Sequence, residues 1–117
     1  MLPFKNRLAK RKDIANVQNQ GQAYFSGNVS IKIVKNNLDQ TRIGFIASAK
    51  NFPKATERNR AKRLLREIFR QKLPVIKKNL DILVFVRKQA KEKSEKKSLK
   101  KEVREIFKKA GLLTSSN

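Results

Sequence analysis

The sequence predicts a small α+β fold, an α/β sandwich in which helices pack on one mixed sheet. Three observations carry this prediction: apolar stripes with the period of a helix, apolar-polar alternation with the period of a strand, and one apolar run suited to a strand covered on both faces. In chain order these elements give α-β-β-α-β-α. The 117 residues suffice for one domain with a single modest core.

The single domain is predicted to occupy residues 11–113. The basic stretch 1–10 is interpreted as a flexible arm and residues 114–117 as a tail. Neither an internal repeat nor a linker marks a second domain in the sequence.

A first helix is predicted over residues 11–20. Ile14 and Val17 are spaced by three and are expected in the core, and Gly21 offers a C-terminal stop. Residues 22–27 are predicted to be a connection that ends in a turn.

Three strands are predicted. Residues 29–35 alternate between apolar and polar side chains, and residues 42–48 resume as a strand after a turn, so the two are predicted to form a hairpin. Gly44, inside the second of these strands, indicates a bulge or the close approach of another group. Residues 81–87 are apolar on both faces and are placed at the centre of the sheet.

The last helix follows a run rich in Lys and Glu. Its apolar stripe ends at Gly111 and comprises Leu99, Val103, Ile106, Phe107 and Ala110. Because its lysines are interleaved with glutamates, its outer face is expected to be mainly solvated.

The helix predicted over residues 57–73 has two faces of different chemistry. At 100° per residue, one arc is apolar and holds Ala61, Leu64, Leu65, Ile68 and Phe69. Roughly 150° away lies a second, mainly cationic arc of Asn59, Lys62, Arg63, Arg66 and Arg70. Thr56 is predicted as the N-cap and Pro74 as the stop. A dense row of guanidinium groups suits a polyanion better than isolated carboxylates.

The composition points to a polyanionic partner. Thirty Lys and Arg against nine Asp and Glu give a net charge of +21, which repels itself in the compact state unless a partner neutralises it. No apolar run reaches the roughly 18 residues that span a bilayer, and the N-terminus lacks the apolar segment of a secretory signal. We therefore expect a cytoplasmic protein with no membrane partner.

The residue inventory argues against catalysis by the chain itself. Cys and His are both absent, which excludes disulfides, thiolate nucleophiles, histidine general bases and zinc sites of the Cys/His type. The few carboxylates are scattered among basic residues and show no spacing suited to a dyad or a metal site.

The loop before the Arg-rich helix adds two exposed cations, Lys50 and Lys54. Free backbone N–H groups point outward at a helix N-terminus, so this loop is a candidate phosphate site.

Together these motifs resemble the bacterial ribonuclease P protein subunit over roughly residues 7–110. An Arg-Asn-Arg triplet alone is a weak signal, but the flanking residues make it specific. The residues that carry the resemblance are Arg42-Ile43-Gly44, Ser48, Lys50, Ala55, Arg58-Asn59-Arg60-Ala61-Lys62-Arg63-Leu64-Leu65-Arg66-Glu67, Asp81-Ile82 and Arg87.

The resemblance implies a role beside a catalytic RNA. Members of this family assist an RNA that removes the 5′ leader of precursor tRNA by Mg²⁺-dependent hydrolysis of one phosphodiester bond. The expected partners are therefore ribonuclease P RNA and precursor tRNA, in a heterodimer of one RNA and one protein. The active site belongs to the RNA, so no catalytic residue and no protein ligand for Mg²⁺ is assigned. The family fold also implies a left-handed crossover through the Arg-rich helix, against the usual right-handed connection.

The resemblance also implies two binding regions within the domain. By this resemblance, Arg58, Asn59, Arg60, Lys62, Arg63 and Arg66 are expected to lie against the RNA subunit. Arg70 of the cationic arc and Lys50 and Lys54 of the loop complete the predicted RNA-binding residues. The single-stranded leader is expected in a cleft between the first helix and the sheet, formed here by Arg11, Ile14, Gln18 and Lys32.

This cleft departs from the family pattern. Ile14, Gln18 and Lys32 stand where the family often has Phe, Phe and Tyr. Stacking a base on an aromatic ring is worth about 1 to 3 kcal/mol, so base contacts are expected to weaken. Lys32 is expected to compensate through a phosphate.

Other polyanion binders remain as alternatives. A ribosomal or generic structural RNA-binding protein has the same charge, and only the signature argues against it. A DNA-compacting protein lacks a recognisable reading helix here. A membrane-surface binder lacks a free amphipathic segment, because the apolar faces are needed for the core.

Overall fold

The computed structural model describes residues 6–27, 29–47, 53–86 and 95–112. Within these ranges the chain forms α-helices, a short 3₁₀ turn and one mixed sheet. The elements in order are α1 (Arg11–Gln20), β1 (Gln22–Ser26), β2 (Val29–Lys35), β3 (Arg42–Ala47), α2 (Ala55–Lys72), the 3₁₀ turn (Leu73–Val75), β4 (Leu80–Val86) and α3 (Glu95–Ala110). The α+β class and the mixed sheet are confirmed, but the order gains a strand and becomes α-β-β-β-α-β-α.

The sheet has the strand order β1-β2-β4-β3. β2 pairs antiparallel with both β1 and β4, whereas β3 pairs parallel with β4. The central position of β4 is confirmed, and α2 is the crossover between the parallel strands β3 and β4. The handedness of that crossover stays a prediction.

The predicted hairpin between β2 and β3 is wrong, and so is the predicted connection over residues 22–27. The hairpin is instead formed by β1 and β2, whose register pairs Ser26 with Val29 across a two-residue loop. Gly27 supplies the left-handed backbone of that loop, with φ of 57°. β4 then occupies the other side of β2 and separates it from β3.

α2 begins two residues earlier than a Thr56 cap requires. Its N-cap is Lys54, which is extended and has no side-chain cap, and Thr56 lies inside the first turn. The carbonyl of Lys54 closes that turn by accepting hydrogen bonds of 3.1 Å from the N–H groups of Glu57 and Arg58. The prediction of Thr56 as N-cap is therefore wrong. Pro74 follows in the 3₁₀ turn and ends the helix as expected.

The core lies on both faces of the sheet. The larger cluster fills the space between the sheet, α2 and α3, and it includes the predicted α3 stripe of Leu99, Val103, Ile106 and Phe107. The smaller cluster lies under α1, where Val17 is buried together with Leu8 and Leu83, and Ile14 packs against them half-buried. β4 supplies residues to both clusters, which is why its side chains are apolar on both faces of the sheet.

The segment before α1 lies along the edge of β3. The N–H of Leu8 donates a 3.0 Å hydrogen bond to the carbonyl of Ile43, and the buried side chain of Asn6 donates to the carbonyl of Thr41. A methyl group added at Gly44 would lie 2.7 Å from the Leu8 carbonyl oxygen. The predicted close approach at Gly44 is confirmed, whereas the domain boundaries at residues 10 and 113 stay predictions.

Candidate nucleic-acid interface

One face of α2 is anchored in the core. Ala61, Leu65, Ile68 and Phe69 are buried, as predicted, and Leu64 is half-buried at the margin. The Phe69 ring makes edge-to-face contacts with Phe45 and Phe107, at centroid distances of 5.6 and 5.2 Å. These contacts fix the rotation of α2 about its axis, so the opposite face must point away from the sheet.

The outward part of α2 carries the predicted polar and cationic residues. Those that are exposed are Asn59, Arg60, Arg63 and Arg70, and those that are half-buried are Arg58, Lys62 and Arg66. Lys54 is exposed just before the helix, whereas Lys50 lies outside the described residues. We call Lys54 and these seven α2 residues the α2 row. The α2 row extends along the whole helix. Its planar guanidinium groups can each donate hydrogen bonds to phosphate oxygens.

Two members of the α2 row also make structural contacts. The Arg66 guanidinium carbon lies 5.9 Å from the centroid of the Phe45 ring, within cation-π range. Arg58 donates a 3.2 Å hydrogen bond to the carbonyl of Pro53. Sequence reasoning missed both contacts, because neither the helical period nor the strand pattern shows which side chains meet across elements.

Arg66 also borders an open cleft at the β3 edge. The cleft has a volume of about 280 Å³, and its lining includes Arg7, Gly44 and Phe45. The cleft lies between the α2 row and the segment before α1. Arg66 of the row and Arg7 of that segment therefore line the same cleft and extend the cationic surface beyond the β3 edge.

The predicted leader cleft lies between α1 and the sheet. Lys32 donates a 2.9 Å hydrogen bond from Nζ to the backbone carbonyl of Gln18, which brings these two predicted residues together. Ile14, about one turn before Gln18 on α1, packs against the smaller cluster. Arg11 is exposed at the other end of α1, about 10 Å from Gln18 along the helix axis. The ammonium of Lys32 thus uses one of its N–H groups to bond a carbonyl at the C-terminal end of α1.

An ion-pair triad fixes α1 over the sheet. Arg42 on β3 contacts Asp81 at 2.7 Å and Asp13 of α1 at 3.1 Å, and Asp81 is buried. The hydrogen bond from Arg42 to Asp81 raises the pKa of the guanidinium, while burial acts in the opposite direction. Asn36 satisfies the carboxylate further with a 2.8 Å hydrogen bond. Arg42 and Asp81, two residues of the sequence signature, therefore join α1 to β3 and β4.

The described residues show neither a metal centre nor a membrane span. Among them, no group of three or more Asp and Glu side chains is placed to hold a metal ion. None of the helices in the described ranges is both long and apolar enough to cross a bilayer. What this surface offers is cations and N–H donors, the groups that bind phosphate oxygens.

Comparisons with known proteins agree with one another. A family model described as Ribonuclease P matches residues 2–111. A ribonuclease P protein component from Fusobacterium nucleatum is 37% identical over 111 residues, covering 92% of this chain and 99% of that protein. One from Pseudanabaena sp. is 46% identical over 87 residues, 74% of this chain and 75% of its own. The RNase P protein structure from Thermotoga maritima superposes with a TM-score of 0.66 at 32% identity, covering 92% and 94% of the two chains.

Proposed function

This chain belongs to the bacterial ribonuclease P protein family, and from that premise we propose that it promotes removal of the 5′ leader from precursor tRNA by binding two RNAs at once. Membership makes it the protein component of an endoribonuclease complex and a partner of ribonuclease P RNA. The proposal adds which surface meets which RNA: the α2 row meets the catalytic RNA, and the cleft under α1 meets the leader.

The observation that carries the proposal is the division of α2 into a buried and a cationic face. Leu65 and Phe69 are fully buried, so the orientation of the helix is set by the core and not by the ligand. Arg60, Arg63 and Arg70 then project from a rigid element. Preorganised guanidinium groups lose less conformational freedom when they bind than groups on a mobile loop do.

The chemistry of hydrolysis is assigned to the RNA. Mg²⁺ held by the RNA would supply activation of the attacking water and stabilisation of charge on the leaving oxygen. The described carboxylates form no metal-binding group, so no protein ligand is assigned. The residues of the α2 row neutralise phosphates, which lowers the electrostatic cost of bringing the catalytic RNA and its substrate together.

The leader is proposed to lie across the sheet beside α1. The Arg42 triad holds α1 at a fixed distance from β4, and Ile14, Gln18 and Lys32 border the resulting cleft. The complex is proposed to contain one protein and one RNA and to act in the cytoplasm.

A reconstitution assay tests the proposal. The protein alone is expected to cleave no precursor tRNA, whereas its addition to ribonuclease P RNA at low Mg²⁺ is expected to raise the cleavage rate. The stimulation should shrink as Mg²⁺ rises, because added cations then screen the same phosphates. A protein that binds this RNA without any stimulation would support a structural RNA-binding role instead.

A further inference from the structure

A row of exposed and half-buried side chains lies on the sheet face that carries α1. Phe25 pairs with Ser30, Ser30 with Phe85, and Phe85 with Ile46, each directly opposite its neighbour on the adjacent strand. Residues opposite one another project to the same face. Ser30 lies two positions from Lys32, whose ammonium bonds to α1, so the whole row is on the α1 side.

Phe25 is conspicuous in this row because it is 57% exposed, against 36% and 38% for the other exposed large apolar side chains of the described residues. Phe85 and Ile46 are half-buried beside it. An isolated exposed apolar residue needs no special explanation. Here, however, the exposed ring continues a row that contains a second aromatic ring.

The surroundings of the row are cationic. Lys109, reaching over from α3, donates a 2.8 Å hydrogen bond from Nζ to the carbonyl of Phe25. Lys32 lies two residue pairs further along the same two strands, opposite Ala23 and on the same face of the sheet. The row therefore combines two aromatic rings with the Ser30 hydroxyl between them. One ammonium group, that of Lys109, lies at the Phe25 backbone, and a second, that of Lys32, lies at the end of α1.

We propose that Phe25 and Phe85 stack bases of the single-stranded leader, an inference that rests on the proposed function. Two strand spacings separate their positions, about 10 Å. Aromatic rings for bases beside cations for phosphates are the groups that bind single-stranded nucleic acid irrespective of sequence. The row thus restores, nearer to β1, the aromatic surface that Ile14, Gln18 and Lys32 do not provide.

Charge favours RNA over a second copy of the chain as the occupant. Each copy carries a net charge of +21, so two copies repel each other, whereas the leader is a polyanion. The row also lies on the face of the sheet and not along the free hydrogen-bonding edge of β1, where strand-to-strand pairing would occur.

The test compares binding of the reconstituted holoenzyme to precursor tRNA with binding to mature tRNA, which has no leader. Phe25→Leu keeps an apolar side chain at the exposed site but removes the ring. It is expected to weaken binding of precursor tRNA roughly 5- to 100-fold and to leave binding of mature tRNA unchanged. Phe25→Tyr should restore the affinity. Phe85→Leu should act in the same direction, with its packing largely retained.

The matched control is Leu38→Ala, at an exposed apolar residue in the turn after β2. It should change neither affinity. If the wild-type protein stimulates cleavage but Phe25→Leu binds precursor tRNA normally, the stacking row is overturned while the proposed function stands. If the wild-type protein gives no stimulation, both are overturned. Loss of self-association in Phe25→Leu, with leader affinity intact, would overturn the row in favour of a contact between copies.

Discussion

Replacing Arg63 by alanine removes one guanidinium from the α2 row without opening the core. Arg63 is exposed, whereas Leu65, two residues further along the same helix, is fully buried. The free energy of unfolding is therefore expected to change by no more than about 0.5 kcal/mol. An effect of Arg63→Ala larger than this is therefore expected only in the affinity for RNA.

The expected size of that effect follows from the phosphate contact. A hydrogen bond to a charged group contributes about 1.5 to 3 kcal/mol, so affinity for ribonuclease P RNA should fall roughly 10- to 100-fold. For the wild-type protein, affinity should fall by roughly 10³ to 10⁵ between 50 and 200 mM salt if the whole row is engaged. Arg63→Ala should reduce the slope of log affinity against log salt by about 0.7 to 0.9.

The assay is equilibrium binding to ribonuclease P RNA across this salt range, with urea unfolding measured in parallel. Lys77→Ala is the matched control, because it removes one exposed positive charge outside the α2 row. Lys77→Ala should leave the slope of log affinity against log salt at its wild-type value. An Arg63→Ala protein with wild-type affinity and slope would refute the assignment of the row, and a stability loss above about 2 kcal/mol would show that the two faces of α2 were exchanged.

Three further predictions concern stability. Leu65→Ala is expected to lower the free energy of unfolding by about 2 to 5 kcal/mol in urea titrations, with unchanged RNA affinity of the folded protein; a loss below about 1 kcal/mol would contradict its burial. Arg42→Ala should cost about 3 kcal/mol because it leaves the buried Asp81 carboxylate unpaired, and a double-mutant cycle of the two residues should show the coupling. Gly44→Ala should cost about 1 to 3 kcal/mol through its clash with Leu8, whereas an unaffected melting temperature would contradict the close approach.

The sequence predicted the elements whose pattern is local. The bounds of α1, the two faces of α2 and the stripe of α3 all follow from a 3.6-residue period, which one helix shows by itself. β4 was placed correctly at the centre because its two apolar faces demand cover from both sides.

The sequence did not predict the pairing of the strands, because pairing depends on partners distant in the chain. Adjacent strands usually form hairpins, which favoured β2 with β3, yet β4 enters between them from more than 30 residues further along. β1 was missed because it is short and mostly exposed, although Tyr24-Phe25 before Gly27-Asn28 fits a strand that leads into a two-residue loop.

The sequence predicted which residues form most of the candidate site, but it did not predict the contacts that these residues make. The arc of Asn59, Lys62, Arg63, Arg66 and Arg70 points away from the core, as the helical period predicts. The contact of Arg66 with Phe45, the triad around Arg42 and the bond from Lys32 to α1 each join separate elements. The periodicity of a single helix or strand cannot indicate contacts between elements. The geometry of these contacts decides which cationic side chains remain available to RNA.

The position of β4 means that the two RNA-binding surfaces arise together. Without β4, the β1-β2 hairpin and β3 share no hydrogen-bonded neighbour. The strand that completes the sheet also carries Leu83 beneath α1 and Val84 beneath the helices on the other side. During synthesis, residues 58–70 leave the ribosome before β4 does, because they precede it in the chain. The α2 row and the cleft under α1 are therefore expected to form together, when β4 pairs with β2 and β3 and completes the sheet.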